Sequence, residues 1–211
     1  MLSVVEARVL GCLLEKERTT PDQYPLTLNA LVSACNQSTS REPVMHLDDH
    51  EVDAVLVELK AEGLLRFVHP SHGRSVTRYR QVADEAWGLD APSAAVVAVL
   101  LLRGPQTVAE LRTRTERLHA FESVEAVDTA LQVLAAQGQV RLLDRQPGQK
   151  EARWQQLLAE EAEVVQAPAA DRVPGAGAAG GGPPGGVMAD RVADLEARVA
   201  RLEAALADFL S

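Results

Sequence analysis

Residues 52–63, VDAVLVELKAEG, return 75 positions later as residues 127–138, VDTALQVLAAQG. A chain that repeats itself is built from copies of one supersecondary unit, so its fold must hold the same element twice. Valine, aspartate, two leucines and the closing glycine recur in register. Val52, Val55, Leu56 and Leu59 fall on one face of a helix, as do Val127, Ala130, Leu131 and Leu134. Gly63 and Gly138 stand where a helix ends on a left-handed residue. Asp48 and Glu51 form a capping box ahead of the first copy.

The flanks of the two copies agree. Helical patterns at 3–17 and 26–36 precede the first, and patterns at 92–103 and 108–118 precede the second. Strand patterns at 64–68 and 76–82 follow the first copy around a turn-rich tip at 70–74. Strands at 140–144 and 152–157 follow the second around a tip at 146–149. Helix, helix, helix, hairpin is the winged-helix plan, an elaboration of the helix-turn-helix. The expected fold class is therefore mainly α with small β-hairpins (α+β): two tandem winged-helix domains, at 1–88 and 89–160. Residues 94–102, AAVVAVLLL, present no polar side chain on any face. A helix apolar all round is buried all round, so this one is expected to pack against the other domain or a second chain.

The remainder reads differently. Residues 166–187 hold Pro168, Pro174, Pro183 and Pro184 among seven glycines and many alanines. Such a stretch has little to bury and is expected to be a flexible Gly/Pro linker, 161–187. Beyond it, Val192, Leu195, Val199, Leu202, Leu206 and Phe209 alternate by threes and fours. Valine at a and leucine at d favour a parallel pair. Arg191 with Glu196, and Arg198 with Glu203, sit at complementary g and e positions. A short coiled-coil helix, 188–211, that makes a homodimer is expected; a lone amphipathic helix docked on its own body is the alternative.

Composition limits the partners. Aromatic residues are 3% of the chain, so the core must be Leu, Val and Ala. No stretch reaches the roughly 18–20 apolar residues of a membrane span, and no secretory signal opens the chain. The two cysteines, Cys12 and Cys35, make no disulfide framework. A cytoplasmic protein without membrane contact is expected. The net charge is −9, distributed as −4 over residues 1–88, 0 over 89–158 and −5 over 159–211. A polyanion is repelled by such a molecule as a whole, so any nucleic-acid contact has to come from a local basic patch.

Several stretches resemble a known family. They are EARVLGCL (6–13), Glu15-Lys16, TTPDQYPL (19–26), LNAL (28–31), ACNQ (34–37) and REPV (41–44), then LLRGPQT (101–107), ELR (110–112) and Arg114. Together they resemble the YceH-like family of uncharacterised bacterial proteins, across roughly residues 2–158. The resemblance implies two winged-helix domains in a cytoplasmic bacterial protein. It implies no reaction, ligand or site.

Candidate sites are few. The helices that would read DNA expose Asp49, His50, Asp53 and Glu58 in one copy, and Glu125, Asp128 and Gln132 in the other. Arginine and lysine are missing where guanines or phosphates are met, so these faces are expected to be solvated or to meet protein. The first hairpin is basic instead: Arg66, His69, His72, Arg74, Arg78 and Arg80 crowd it without an acid. Alternation puts Arg74, Arg78 and Arg80 on one face, suited to following a phosphate backbone; the alternative is a charge match to the acidic helix beside it. Arg112, Arg114 and Arg117 form a second basic cluster, after an N-cap at Thr107 with Glu110 three later. They are a second candidate nucleic-acid contact, with pairing to Glu110 or Glu116 as the favoured alternative. The polar loops at 19–25 and 36–41 suit either a polar ligand or the chain's own backbone groups.

No catalytic set, cofactor motif or metal site is assembled. His46 and His50 lack further ligands beside them, and Cys12 lies in an apolar stripe. The expectation is a non-enzymatic winged-helix protein that binds double-stranded DNA through the first hairpin, with a protein-interaction scaffold free of nucleic acid as the alternative.

Overall fold

The hydroxyl of Ser3 accepts the Glu6 N–H at 3.3 Å, and the Glu6 carboxylate accepts the Ser3 N–H at 2.6 Å. This reciprocal cap satisfies two donors that a helix start leaves open and launches α1 (Val4–Thr19). A computed structural model describes residues 1–69, 76–145 and 147–160, all inside the unit Met1–Val165. The expected linker and the seam of Val192, Leu195, Val199, Leu202, Leu206 and Phe209 lie outside the described residues, as do His72 and Arg74.

After α1 come a 3-10 turn (Pro21–Gln23), β1 (Leu26–Thr27), α2 (Leu28–Cys35), α3 (Asp49–Ala61), β2 (Leu65–Val68) and β3 (Arg78–Gln81). A short α4 (Ala83–Trp87) leads to α5 (Ala91–Arg103), α6 (Val108–Thr115), α7 (Val124–Ala136), β4 (Val140–Leu142) and β5 (Trp154–Gln156). The fold is mixed: seven α-helices among the described residues, and two small antiparallel sheets ordered β1-β3-β2 and β4-β5.

The repeated segment occupies corresponding places. Val52, Val55, Leu56 and Leu59 of α3 are buried, and so are Val127, Ala130, Leu131 and Leu134 of α7. Both helices run out into glycines of nearly equal left-handed φ, 75° at Gly63 and 72° at Gly138, and each leads into a strand. The Asp48–Glu51 box is formed at 2.8 Å in both directions, and Thr107 and Glu110 form another ahead of α6.

Two elements differ from the sequence reading. Leu26 and Thr27 are extended, not the first turn of a helix: they pair with Tyr79 and Arg78 of β3, and Thr27 then caps α2 through the Ala30 N–H. Helix α4 follows β3 because the Gln81 side chain accepts the Asp84 N–H at the turn.

The apolar helix α5 is covered by its own chain. Every residue from Ser93 to Leu102 is buried, and α5 lies against α1 most extensively, with α6, α7 and β5 on its other sides. Gly11 permits this approach, since a β-carbon there would meet Leu102 Cγ at 3.0 Å and Leu101 Cβ at 3.2 Å. One hydrophobic core therefore runs through both repeats. The ends of the described chain also meet: Leu2 N–H donates to Leu158 O, and Glu160 N–H to Leu2 O. No helix among the described residues is long and apolar enough to cross a membrane.

Candidate functional site

The first hairpin sorts its side chains by strand alternation. Register places Arg66 opposite Arg80 and Val68 opposite Arg78 on one face. Phe67 and Tyr79 pair on the other, their rings edge to face at 5.0 Å. Leu65, Tyr79 and Gln81 go into the core, while Arg66 and Arg78 are exposed and Arg80 is half-buried. Three arginines thus share a face of a hairpin whose strands contain no acid.

Parts of that face are already engaged. Arg78 Nη1 donates to Pro25 O at 2.8 Å, tying β3 to the segment before α2. Arg66 lies 3.6 Å from Glu85, both side chains well exposed; such a pair holds loosely in water. Arg80 Nε is enclosed without a hydrogen-bond partner among the described residues. On the core side of the hairpin, Tyr24 Oη accepts the Gln81 N–H at 2.7 Å.

The helices expected to present acidic faces do so. Asp49, His50, Asp53 and Glu58 are exposed on α3, and Glu125, Asp128 and Gln132 on α7. Val57 (56% exposed) and Val133 (46%) stand among them.

The second basic cluster divides. Arg112 is exposed and reaches Glu122 O at 3.4 Å. Arg114 pairs with Glu110 at 3.6 Å along α6. Arg117, just past α6, makes no ion pair or hydrogen bond among the described residues. Arg114 and Arg117 line a cleft of about 450 Å³ together with Lys16 and the loop Ser38, Thr39 and Ser40. Two sets of residues far apart in sequence, the loop at 36–41 and the α6 arginines, are thereby brought to one place. Lys16 was missed from the sequence because the loop at 38–40 and the arginines it meets in the cleft lie more than twenty residues away.

Arg41 anchors this loop from behind. Its side chain is fully buried; Nη1 and Nη2 donate to the two Glu15 oxygens at 3.1 and 2.7 Å, and Nε to Ala34 O at 3.0 Å. Burial alone would raise the Glu15 pKa, but the Arg41 hydrogen bonds and charge, with Lys16, hold it below the usual carboxylate range. Arg103, at the end of α5, donates to Ser40 Oγ at 2.6 Å.

A neighbouring cavity of about 540 Å³ is lined by Arg8, Arg103, Arg114 and Arg153, but also by Glu42, Glu110 and Glu160. Its charges are largely matched. Arg153 grips Glu110 at 2.8 and 3.4 Å, and the fully buried Arg8 donates to the carbonyls of Cys35 and Pro43. Cys12 and Cys35 are both buried. Among the described residues no three His, Cys, Asp or Glu side chains converge as a metal site would require.

Comparison with known proteins points one way. The family described as "Protein of unknown function, DUF480" matches residues 2–149. A UPF0502 protein of Solibacter usitatus is 47% identical over 208 residues, covering 99% of this chain and 96% of its own length. One from Chromobacterium violaceum is 45% identical, over 96% of this chain and 88% of its own. One from Geotalea daltonii is 49% identical, over 78% of this chain and 75% of its own.

Proposed function

The chain belongs to the DUF480 family of bacterial proteins, and from that premise we propose that it is a non-catalytic, tandem winged-helix protein that associates with double-stranded DNA. The winged-helix reading is supported by the order of elements. In each repeat two helices precede a third, and a hairpin follows whose second strand pairs back to the short segment just ahead of the second helix.

The contact would be made by the first hairpin. The observation that carries this is the shared face of Arg66, Arg78 and Arg80 on acid-free strands. Guanidinium groups donate to phosphate oxygens at fixed geometry, which suits backbone tracking over base reading. The acidic faces of α3 and α7 speak against insertion of either helix into a major groove. In a chain of net charge −9, binding would depend on this patch and fall steeply with salt. The heptads at 192–209 would join two chains and so present two hairpins to one duplex.

The test is fluorescence anisotropy of a labelled random 20-bp duplex with the full chain and with Arg66→Ala/Arg80→Ala. Binding that weakens at least tenfold in the variant supports the reading; equal binding, or none at low salt, removes it.

A second reading is a protein-interaction scaffold without nucleic-acid contact. The exposed Val57 and Val133 on the acidic faces of α3 and α7 favour it, since apolar side chains ringed by charge suit a partner surface.

A further inference from the structure

The cleft beside the end of α6 gathers three cations, of which Lys16 is paired with Glu15, Arg114 with Glu110, and Arg117 with no acid among the described residues. Lys16, Arg114 and Arg117 line it. The one acid in its wall among the described residues, Glu15, is committed to Arg41 by two hydrogen bonds and to Lys16 at 3.2 Å. Behind the wall, burial together with the charges of Arg114 and Arg41 lowers the proton affinity of Arg103. Arg41 is matched by Glu15 and Arg114 by Glu110, so the charge left unmatched at the cleft is that of Arg117, in a chain that is acidic overall.

Ser38, Thr39 and Ser40 line the same cleft and carry further donors. The side chains of Ser38, Thr39 and Arg117 make no hydrogen bond among the described residues, and the backbone N–H groups of Ser38, Thr39 and Ser40 donate to no carbonyl there. Ser40 is held at φ 62°, a left-handed conformation uncommon for a residue with a side chain. Two contacts fix it there: Arg41 Nη1 bonds Ser40 O at 2.9 Å, and Arg103 bonds Ser40 Oγ. The loop is thus preset by the buried Arg41 and the half-buried Arg103, not left to find its shape, and backbone strain of this kind collects at ligand clamps.

A guanidinium fork, an ammonium, hydroxyls and free amide N–H groups together make a donor set for a tetrahedral oxyanion. The cleft, at about 450 Å³, is larger than one phosphate and falls within the usual size range of small-molecule sites. We infer that it binds a small phosphorylated ligand, a diphosphate or phosphate ester, gripped by Arg114 and Arg117 on one side and by the 38–40 loop on the other. Because the loop belongs to the first repeat and the arginines to the second, occupation ties the two repeats together. The inference does not rest on the DNA reading.

Isothermal titration calorimetry of the full chain with sodium pyrophosphate, at constant ionic strength, tests it. The expected result is saturable heat for the native chain, and affinity at least tenfold weaker for Arg117→Ala and for Ser38→Ala/Thr39→Ala. These side chains are exposed, so unchanged thermal melting will certify the folds. Arg66→Ala is expected to bind pyrophosphate as the native chain does, which separates this site from the hairpin. Heat no greater than that of sodium chloride, or an Arg117→Ala variant with native affinity, overturns the inference. So does displacement of pyrophosphate by a 20-bp duplex whose own affinity falls in Arg117→Ala, since the cleft would then hold a DNA backbone.

Discussion

Tyr79 and Trp154 hold the same station in the two halves of the chain. Each lies in the second hairpin strand, is buried, and bridges back to the residue just before the threonine that caps the following helix: Tyr79 to Leu26, Trp154 to Gln106. The second bridge is formed by Gln106 N–H to Trp154 O at 3.0 Å and Trp154 N–H to Gln106 O at 2.7 Å.

An aromatic side chain at this junction of hairpin and helix bundle fills space that nothing nearby can close. Trp154→Ala and Tyr79→Ala are each expected to destabilise the fold by about 3–5 kcal/mol. Urea denaturation followed by far-UV circular dichroism reads this; a loss below about 1 kcal/mol in either would show the junction to be dispensable.

The approach of α1 to α5 depends on the missing side chain at Gly11. Gly11→Val would drive branched carbons into Leu101 and Leu102, and overpacking of this kind costs about 1–3 kcal/mol. The improved helix propensity offsets only a few tenths of that. A thermal midpoint unchanged from the native chain would contradict the tight contact.

The Glu15–Arg41 pair predicts a pH dependence. The carboxyl of Glu15 is held below its ordinary pKa in the folded chain. Its contribution is therefore complete above the unfolded value of about 4.3 and is lost as pH falls through the lower folded value. Arg41→Ala breaks a buried pair and should cost about 3–5 kcal/mol at neutral pH. Glu15→Gln should be destabilised at pH 7, with a deficit that narrows below about pH 4. Denaturation series at pH 7 and pH 3 check both; a deficit independent of pH would show that the charge is not what matters.

The heptad pattern at 192–209 carries the proposed dimer. Light scattering is expected to give twice the chain mass for the full protein and a single chain mass for residues 1–165. Equal masses per chain for the two would remove the tail as the joining element.

What the sequence disclosed follows from periodicity. The stripes of α3 and α7, the caps at Asp48 and Thr107, and the burial of residues 94–102 are local patterns, and each stands in the structure where the spacing puts it. The alternation of Arg78 and Arg80 likewise placed them on one face. The β1 strand was not legible, because Leu26 and Thr27 are extended only through pairing with Tyr79 and Arg78, some fifty residues on. Nor was the cleft, since Lys16, Ser38 and Arg117 share no spacing and come together only as the fold brings the end of α1, the 37–40 loop and the end of α6 to one cleft. Arg78 shows the same limit from the other side: basic in the pattern, it spends one nitrogen on Pro25 O.

Salt titration of DNA binding tests the central claim most directly. A logarithmic plot of affinity against salt has a slope of about −0.9 for each phosphate neutralised. The account predicts a linear plot of negative slope for the full chain, and a slope shallower by about 2 for Arg66→Ala/Arg80→Ala. An unchanged slope in that variant, or no measurable binding at about 50 mM salt, would contradict it.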